Sequence, residues 1–150
     1  METRVWPNVG YRDAAAAVHF LKAAFGFEEV AVYDLPDGSI GHAQLRWPGG
    51  GGVTLHSAER GRHSTIELAR TADDGGYPAF SVHVDVDDPD ALFARAVAAG
   101  ARVVRPVETS PFGTRGFVVA DPEGLYWSFG TPLPRLARDA GGRWAQAERP

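Results

Sequence analysis

The chain has 150 residues, no cysteine, a formal net charge of −4 and an ordinary 44% of hydrophobic residues. This length fits one domain, or two small halves that share a core, and the absence of cysteine excludes disulfides and thiolate metal sites. The negative net charge and the lack of a clustered basic stripe argue against nucleic-acid binding. No apolar run approaches the ~18 residues of a membrane span, and the first residues lack an apolar signal segment, so we expect a cytoplasmic protein.

Residues 1–56 predict a first strand–helix–strand–strand–strand module. Asp13 is a candidate N-cap, and apolar residues at helical spacing follow it as far as Gly26. Turn signals at Pro36–Ser39 and Pro48–Gly52 separate the later strands. The predicted elements are a helix at Ala14–Phe25 and strands at Val5–Tyr11, Phe27–Leu35, Ile40–Trp47 and Val53–His56.

Residues 57–76 are polar and without a clear period, which predicts a linker, with one further strand considered at Thr65–Ala69. Residues 133–150 form a polar C-terminal tail, in which we expect a short helix around Leu136–Ala140.

Residues 77–132, between the linker and the tail, repeat the first pattern. Asp87 and Asp88 offer an N-cap and Pro89 suits the first helical position. Asp121–Gly124 has the residues of a type I turn. The predicted elements are a helix at Ala91–Ala99, with Leu92, Phe93, Ala96 and Val97 inward, and strands at Pro78–Val86, Arg102–Val107, Phe117–Ala120 and Leu125–Phe129.

The two modules form an internal repeat. The helix-ending glycines Gly26 and Gly100 are 74 residues apart, whereas the first strands align at 71, which matches Trp6 with Tyr77. Two copies are too few for a solenoid. The sequence therefore predicts an α+β fold in which two βαβββ repeats form a curved mixed sheet, with the helices outside and a ligand cleft on the open side.

Four segments carry a resemblance to a known family, and the resemblance as a whole covers roughly residues 4–132, most of the chain. The segments are Tyr11–Phe27, Ile40–Leu45, Val86–Ala101 and Asp121–Gly130. The chain resembles the vicinal oxygen chelate superfamily, which includes glyoxalase I, extradiol dioxygenases, fosfomycin-resistance enzymes and bleomycin-resistance proteins. Its glyoxalase/bleomycin-resistance-like branch is the most similar, and the resemblance implies the fold described above.

The resemblance also implies three metal-ligand positions on the cleft floor, which are normally His, His and Glu. They fall here on Trp6, Tyr77 and Ser128. Divalent metals in such sites prefer imidazole nitrogen or carboxylate oxygen, whereas an indole donates only through N–H, a phenol is neutral at pH 7 and a serine hydroxyl binds weakly. We therefore expect no metal and no other cofactor.

The cleft-facing residues are candidates for ligand binding. Tyr126 and Ser128 share one face of the last strand, while Leu125, Trp127 and Phe129 face the helices. The polar face of an earlier strand contains Ile40, His42, Gln44 and Arg46, of which His42 is a candidate acid or base near pH 7. An alternative metal set would be His42, His56 and His83. The candidate ligand-binding set is Trp6, Asn8, His42, Gln44, Thr54, Tyr77, Ser81, Tyr126 and Ser128.

Three functions remain open from the sequence. The first is a metal-independent homodimer that sequesters a small aromatic or amphipathic molecule, as the bleomycin-resistance proteins it resembles do, with no nucleic-acid or membrane partner; antibiotic resistance is one use of such binding. The second is a glyoxalase-like lyase or isomerase that uses His42 as acid/base or a displaced metal. The third is a non-catalytic partner-binding module whose cleft is filled by its own side chains.

Overall fold

A computed structural model of the chain describes residues 5–58 and 80–133 and the two short strands that follow them. The elements lie within three residues of the predicted bounds at each end, except in the tail. The first repeat comprises β1 (Asn8–Tyr11), α1 (Ala14–Phe25), β2 (Glu28–Asp34), β3 (Ile40–Arg46) and β4 (Gly52–Ser57). The second comprises β5 (Ser81–Asp85), α2 (Pro89–Ala98), β6 (Arg102–Thr109), β7 (Arg115–Ala120) and β8 (Tyr126–Gly130), and the tail contains β9 (Leu136–Arg138) and β10 (Trp144–Gln146).

Each repeat builds its own four-stranded mixed sheet. The strand orders are β1-β4-β3-β2 and β5-β8-β7-β6, so the first strand of each repeat is an edge strand. That strand runs parallel to the last strand of its repeat, and the remaining pairs are antiparallel. This arrangement confirms the predicted α+β fold with two βαβββ repeats. The described strands of the repeats form two four-stranded sheets rather than the single curved sheet that we expected, because hydrogen bonding joins strands within each repeat.

The backbone register corrects the alignment of the two first strands. Asn8 pairs with Thr54 in the first repeat, and His83 pairs with Ser128 in the second. Asn8 and His83 are thus 75 residues apart, not 71, and the position equivalent to Trp6 is Ser81 rather than Tyr77. The prediction failed because it matched two aromatic-Pro dipeptides, whereas the hydrogen bonds to the last strand fix which residues are equivalent.

Capping side chains set the limits of both helices. Asp13 accepts a hydrogen bond from the backbone N–H of Ala16, and Gly26 ends α1 in the left-handed conformation, with φ of 84°. Asp88 caps α2 in the same way through the N–H of Ala91. Arg95 on α2 then donates to two carbonyl oxygens at the C-terminal end of α1, so the helices of the two repeats are joined directly.

The core lies between the two helices and the inner faces of the sheets. Trp127, Phe129 and Leu125 are buried there, which confirms the predicted parity of β8. The ring of Phe25 packs against both Trp127 and Phe129, with centroid distances of 5.2 and 4.7 Å. Residues from both repeats therefore form one hydrophobic core.

Two predicted side-chain orientations are wrong. Val97 is 43% exposed, because α2 contacts the core through Ala96 and the half-buried Leu92 and Phe93 instead. Ile40 is buried and does not share the outward face of His42. A register shift between the second and third strands, where one extra residue of β3 lies between Ile40 and His42, reverses the alternation.

The tail also differs from the expectation of a helix around Leu136–Ala140. Leu136–Arg138 is a strand that pairs antiparallel with Trp144–Gln146. The partner strand lies several residues further along the chain, so local helix propensity did not reveal it. The linker from residue 59 onward, its considered strand Thr65–Ala69 and Tyr77 lie outside the described residues. No described helix is long and apolar enough to cross a membrane.

A buried carboxylate in the β7–β8 turn connects the two repeats. Asp121 is only 4% exposed. Its Oδ2 accepts hydrogen bonds from the Tyr11 hydroxyl at 2.7 Å and from Trp127 Nε1 at 3.1 Å, while Oδ1 accepts from the backbone N–H of Glu123 and Leu125 at 3.0 Å each. The N–H of Gly124 donates to the Asp121 carbonyl, as the predicted type I turn requires. All four donors converge on one side chain, so the turn, β8 and β1 are held together.

We predict that Asp121→Ala destabilises the fold by about 3–5 kcal/mol, because four donors, several of them buried, lose their charged acceptor. Asp121→Asn retains an acceptor oxygen and should cost less. The free energy of unfolding in urea, followed by fluorescence, measures both. Asp34→Ala, at an exposed strand end, is the control and should change stability by less than about 0.5 kcal/mol. Equal stability of Asp121→Ala and Asp34→Ala would contradict the assigned role of Asp121.

Burial, and then the negative charge of Asp121, raise the pKa of Tyr11 well above its usual value of 10.0. The folded state therefore holds the tyrosine proton more tightly than the unfolded state does. This contribution to stability is fully present below about pH 10 and is lost as the pH rises from there towards the raised pKa. Urea unfolding between about pH 9 and pH 11 should show a steeper loss of stability in the wild type than in Tyr11→Phe. Tyr33→Phe, at an exposed tyrosine, should behave as the wild type does.

Candidate functional site

A cavity of about 450 Å³ is lined by residues of both repeats. The first repeat lines it with Phe27 and Trp47, with the segment leading into β1 and with the glycine turn before β4. The second repeat contributes β5. The lining residues are Val5, Pro7, Phe27, Trp47, Gly49, Gly50, Gly51, Gly52, Val53, Val82, His83, Val84 and Asp85. The lining is thus mostly apolar or glycine backbone, with His83 and Asp85 as its ionisable side chains.

On the first sheet, two predicted ligand-binding residues and one histidine of the alternative metal set form one hydrogen-bonded cluster. The Thr54 hydroxyl lies 3.1 Å from Asn8 Oδ1 and 3.3 Å from the carbonyl oxygen of Pro7. His56 Nδ1 lies 3.2 Å from the same Asn8 oxygen. The predicted ligand-binding residues Asn8 and Thr54 are therefore brought together, and His56 joins them.

His42 and Gln44 lie on the neighbouring strand of the same sheet. His42 is exposed, and its ring centroid is 6.3 Å from that of Tyr33 on β2. Gln44 is half-buried and pairs with Thr54 in the register. Neither side chain lines the cavity.

Burial, and secondarily the charge of His42, lower the pKa of His56 from 6.5. The neutral imidazole is thus favoured in the folded state, so this contribution to stability is present above about pH 6.5 and is lost as the pH falls below it.

NMR titration of the histidine ring protons should place the pKa of His56 below that of a histidine in an unfolded peptide. His42→Gln removes the second cause of the shift and leaves the first, so the pKa of His56 should rise part of the way back. His19→Gln, on the outer side of α1, is the control and should leave the pKa of His56 unchanged. A complete return to the peptide value in His42→Gln would contradict burial as the main cause.

On the second sheet, Ser128 belongs to a cluster that the sequence did not predict. Its hydroxyl oxygen lies 3.0 Å from His83 Nδ1, and His83 Nε2 lies 3.3 Å from Asp85 Oδ1. His83 and Asp85 are two residues apart on β5 and therefore share one face. The sequence alone shows the spacing of His83 and Asp85. Only the pairing of β5 with β8 places Ser128 beside them.

The remaining predicted site residues fall at separate places. Trp6 is half-buried and lies over Gly52, where an added Cβ would overlap both the Trp6 ring and the Leu45 carbonyl oxygen. Ser81 is exposed and pairs in register with the half-buried Tyr126. Tyr77 lies outside the described residues and stays a prediction.

Comparison with known proteins identifies the family. The sequence model of the Glyoxalase/Bleomycin resistance protein/Dioxygenase superfamily matches residues 5–129, so the chain belongs to this superfamily. An uncharacterized protein of Mycobacterium bovis is 37% identical over 139 residues, which cover 93% of this chain and 90% of that protein. A counterpart in Mycobacterium tuberculosis H37Rv has the same identity and is 80% covered.

Two solved structures show the same fold. The crystal structure of TioX from Micromonospora sp. ML1 superposes with a TM-score of 0.69 at 34% identity, covering 87% of this chain and 98% of that one. A glyoxalase-related enzyme from Fulvimarina pelagi superposes with a TM-score of 0.67 at 19% identity, covering 99% and 100% of the two chains. The latter similarity concerns the fold alone.

The donor set does not fit the divalent metal that the fold family implies. Ser128 directs its hydroxyl to His83, and the equivalent strand position in the first repeat is Thr54. Trp6 and its counterpart Ser81 contribute an indole and a hydroxyl, which are poor donors for a divalent ion. Within residues 5–58 and 80–133, no three His, Asp or Glu side chains are grouped as metal ligands, and this includes the alternative set of His42, His56 and His83.

Proposed function

We propose that this protein binds a small, largely aromatic or amphipathic molecule in the cavity between its two sheets and sequesters it without a metal. The cavity itself is the observation that carries the proposal. Its volume of about 450 Å³ falls within the ~300–1,000 Å³ range of small-molecule sites. Both repeats line it, which fits a binding site at the junction of two structural units.

The aromatic residues of the wall favour a planar ligand. Phe27 and Trp47 lie edge to face, with a centroid distance of 5.2 Å and an interplanar angle of 70°. A ring that enters the cavity can stack on one of them and meet the edge of the other, and both arrangements are favourable for aromatic groups. The adjacent glycines carry no side chain, so a flat molecule can approach their backbone closely.

The polar groups of the wall favour a ligand that is amphipathic rather than purely apolar. His83 and Asp85 combine a donor or acceptor nitrogen with a carboxylate beside the apolar surface. A few placed polar groups in an apolar cavity fix the orientation of a ligand and provide specificity.

The metal-independent part of the proposal rests on the donor chemistry of Trp6, Ser81 and Ser128. A glyoxalase-like enzyme that uses His42 receives less support, because His42 lies outside the cavity lining, beside Tyr33. The homodimer and the cytoplasmic location stay predictions.

Isothermal titration calorimetry with a panel of planar aromatic compounds tests the proposal, with fluorescence quenching of Trp47 as a second readout. Val84→Phe places a larger side chain in the cavity wall and should weaken binding of a panel ligand at least tenfold. Val30→Phe, at an exposed site on β2, makes the same change away from the cavity and should leave the affinity as in the wild type.

Circular dichroism and thermal unfolding check that both variants are folded, because overpacking at Val84 costs about 1–3 kcal/mol. Binding that is unaffected by Val84→Phe would place the ligand elsewhere. Absence of binding to every planar compound in the panel would overturn the proposed ligand class.

A further inference from the structure

We propose that Ser128, His83 and Asp85 form a hydrolytic triad, in which Ser128 is a nucleophile towards a carboxylic ester or a similarly activated acyl group. This activity goes beyond the sequestering function proposed above. It rests on a different observation, the chain of side-chain hydrogen bonds that crosses from β8 to β5.

The parallel pairing of β5 and β8 creates the geometry. His83 and Ser128 are direct partners in the register, and their side chains meet with 3.0 Å between Nδ1 and Oγ. Asp85 follows two residues later on the same face of β5, with 3.3 Å between its Oδ1 and His83 Nε2. The pairing of the two strands thus places the hydroxyl, the imidazole and the carboxylate in consecutive contact.

The carboxylate fixes which nitrogen of His83 carries the proton. An ionised Asp85 only accepts hydrogen bonds, so the contact requires a proton on Nε2. The Nδ1 lone pair is then directed at Ser128, and the Ser128 hydroxyl donates to it. A base that accepts the hydroxyl proton and is oriented by a third group is the arrangement that activates a serine nucleophile. In the chymotrypsin-type triad Nε2 faces the serine and Nδ1 faces the carboxylate, whereas in His83 Nδ1 faces Ser128 and Nε2 faces Asp85. Either ring nitrogen can act as the base or as the donor to the carboxylate.

The first repeat shows that this arrangement is not a necessary consequence of the fold. At the equivalent positions Thr54 replaces Ser128 and Asn8 replaces His83. Among the described residues, the hydrogen-bond partners of the Thr54 hydroxyl are an amide and a carbonyl oxygen, and His56 contacts Asn8 rather than Thr54. Within the described part of the chain, the hydroxyl in the first repeat therefore has no hydrogen bond to a base, whereas the one in the second repeat does.

A substrate in the cavity can reach His83 and Asp85 of the proposed triad. The side chains of His83 and Asp85 are 56% and 63% exposed, and both line the cavity, while Ser128 is half-buried beside them.

The reaction balances without a further reagent. Ser128 Oγ forms a bond to the acyl carbon while its proton passes to His83 Nδ1. The ester C–O bond then breaks, and the imidazolium gives that proton to the departing alkoxide, which leaves as an alcohol. Water then gives a proton to the same nitrogen and attacks the acyl carbon. The bond from that carbon to Ser128 Oγ breaks, the imidazolium returns the proton to Oγ, and the carboxylic acid is released.

Labelling with a fluorophosphonate probe, quantified by intact-mass spectrometry and located by peptide sequencing, tests the proposal. The wild type should take up one label per chain, on Ser128. Ser128→Ala should take up none, and His83→Gln should label at least ~100-fold more slowly, because the general base is absent. Ser39→Ala is the matched control and should label as the wild type does, since the Ser39 hydroxyl bonds to the Asp37 carboxylate and no described histidine is among its hydrogen-bond partners.

Asp85 is a positioning residue, so its test needs a separate readout. In Asp85→Asn the labelling rate should fall at least tenfold, and 15N NMR of labelled histidine should show His83 no longer confined to the tautomer with the proton on Nε2. Asp85→Glu should restore part of both. Circular dichroism of each variant separates loss of the fold from loss of the triad.

Absence of a label on Ser128 in the folded wild type would overturn the proposal. Equal labelling rates in the wild type and in folded His83→Gln would do the same. Because the probe reacts with the serine directly, neither result depends on whether a planar aromatic ligand binds in the cavity.

Discussion

The buried carboxylate of Asp121 is the constraint on which the arrangement of the two repeats depends. One side chain accepts from Tyr11 at the end of β1, from Trp127 on β8 and from two backbone N–H groups of its own turn. Glu123 in the same turn accepts from the two backbone N–H groups before α1. A carboxylate removed from water is stable only when its acceptor sites are filled, so these partners are held in fixed relative positions.

This connection positions the polar clusters as well as the core. With Trp127 held inward by Asp121, strand alternation requires Tyr126 and Ser128 to point to the opposite face of β8. Tyr11 likewise fixes β1, which contributes Asn8 to the first sheet. The site is thus built outward from the core, and the cavity is lined by the segment leading into β1 together with β5.

The two repeats have the same backbone plan and different chemistry. Equivalent strand positions hold Asn8 and Thr54 in one sheet and His83 and Ser128 in the other. One repeat therefore has an amide-centred cluster and the other has a base beside a hydroxyl. Trp6 also departs from a metal-binding pattern, because an aromatic ring stands where the family has a metal ligand. This ring lies over Gly52, where an added Cβ would overlap it.

The sequence by itself determined the elements, the repeat, the fold class and the inward face of β8, because these follow from local caps, turn residues and hydrophobic periodicity. Its predicted ligand-binding residues Asn8, Thr54 and Ser128 lie in hydrogen-bonded clusters outside the cavity lining, and their part in binding stays a prediction. The tertiary structure decided the register of β5 against β8, and with it the equivalence of Trp6 with Ser81 and the contact of His83 with Ser128. It also decided the burial of Ile40 and the strand that replaced the expected helix at Leu136. These features depend on hydrogen bonds between residues far apart in the chain, or on a register shift between strands. The local sequence pattern predicts neither of them.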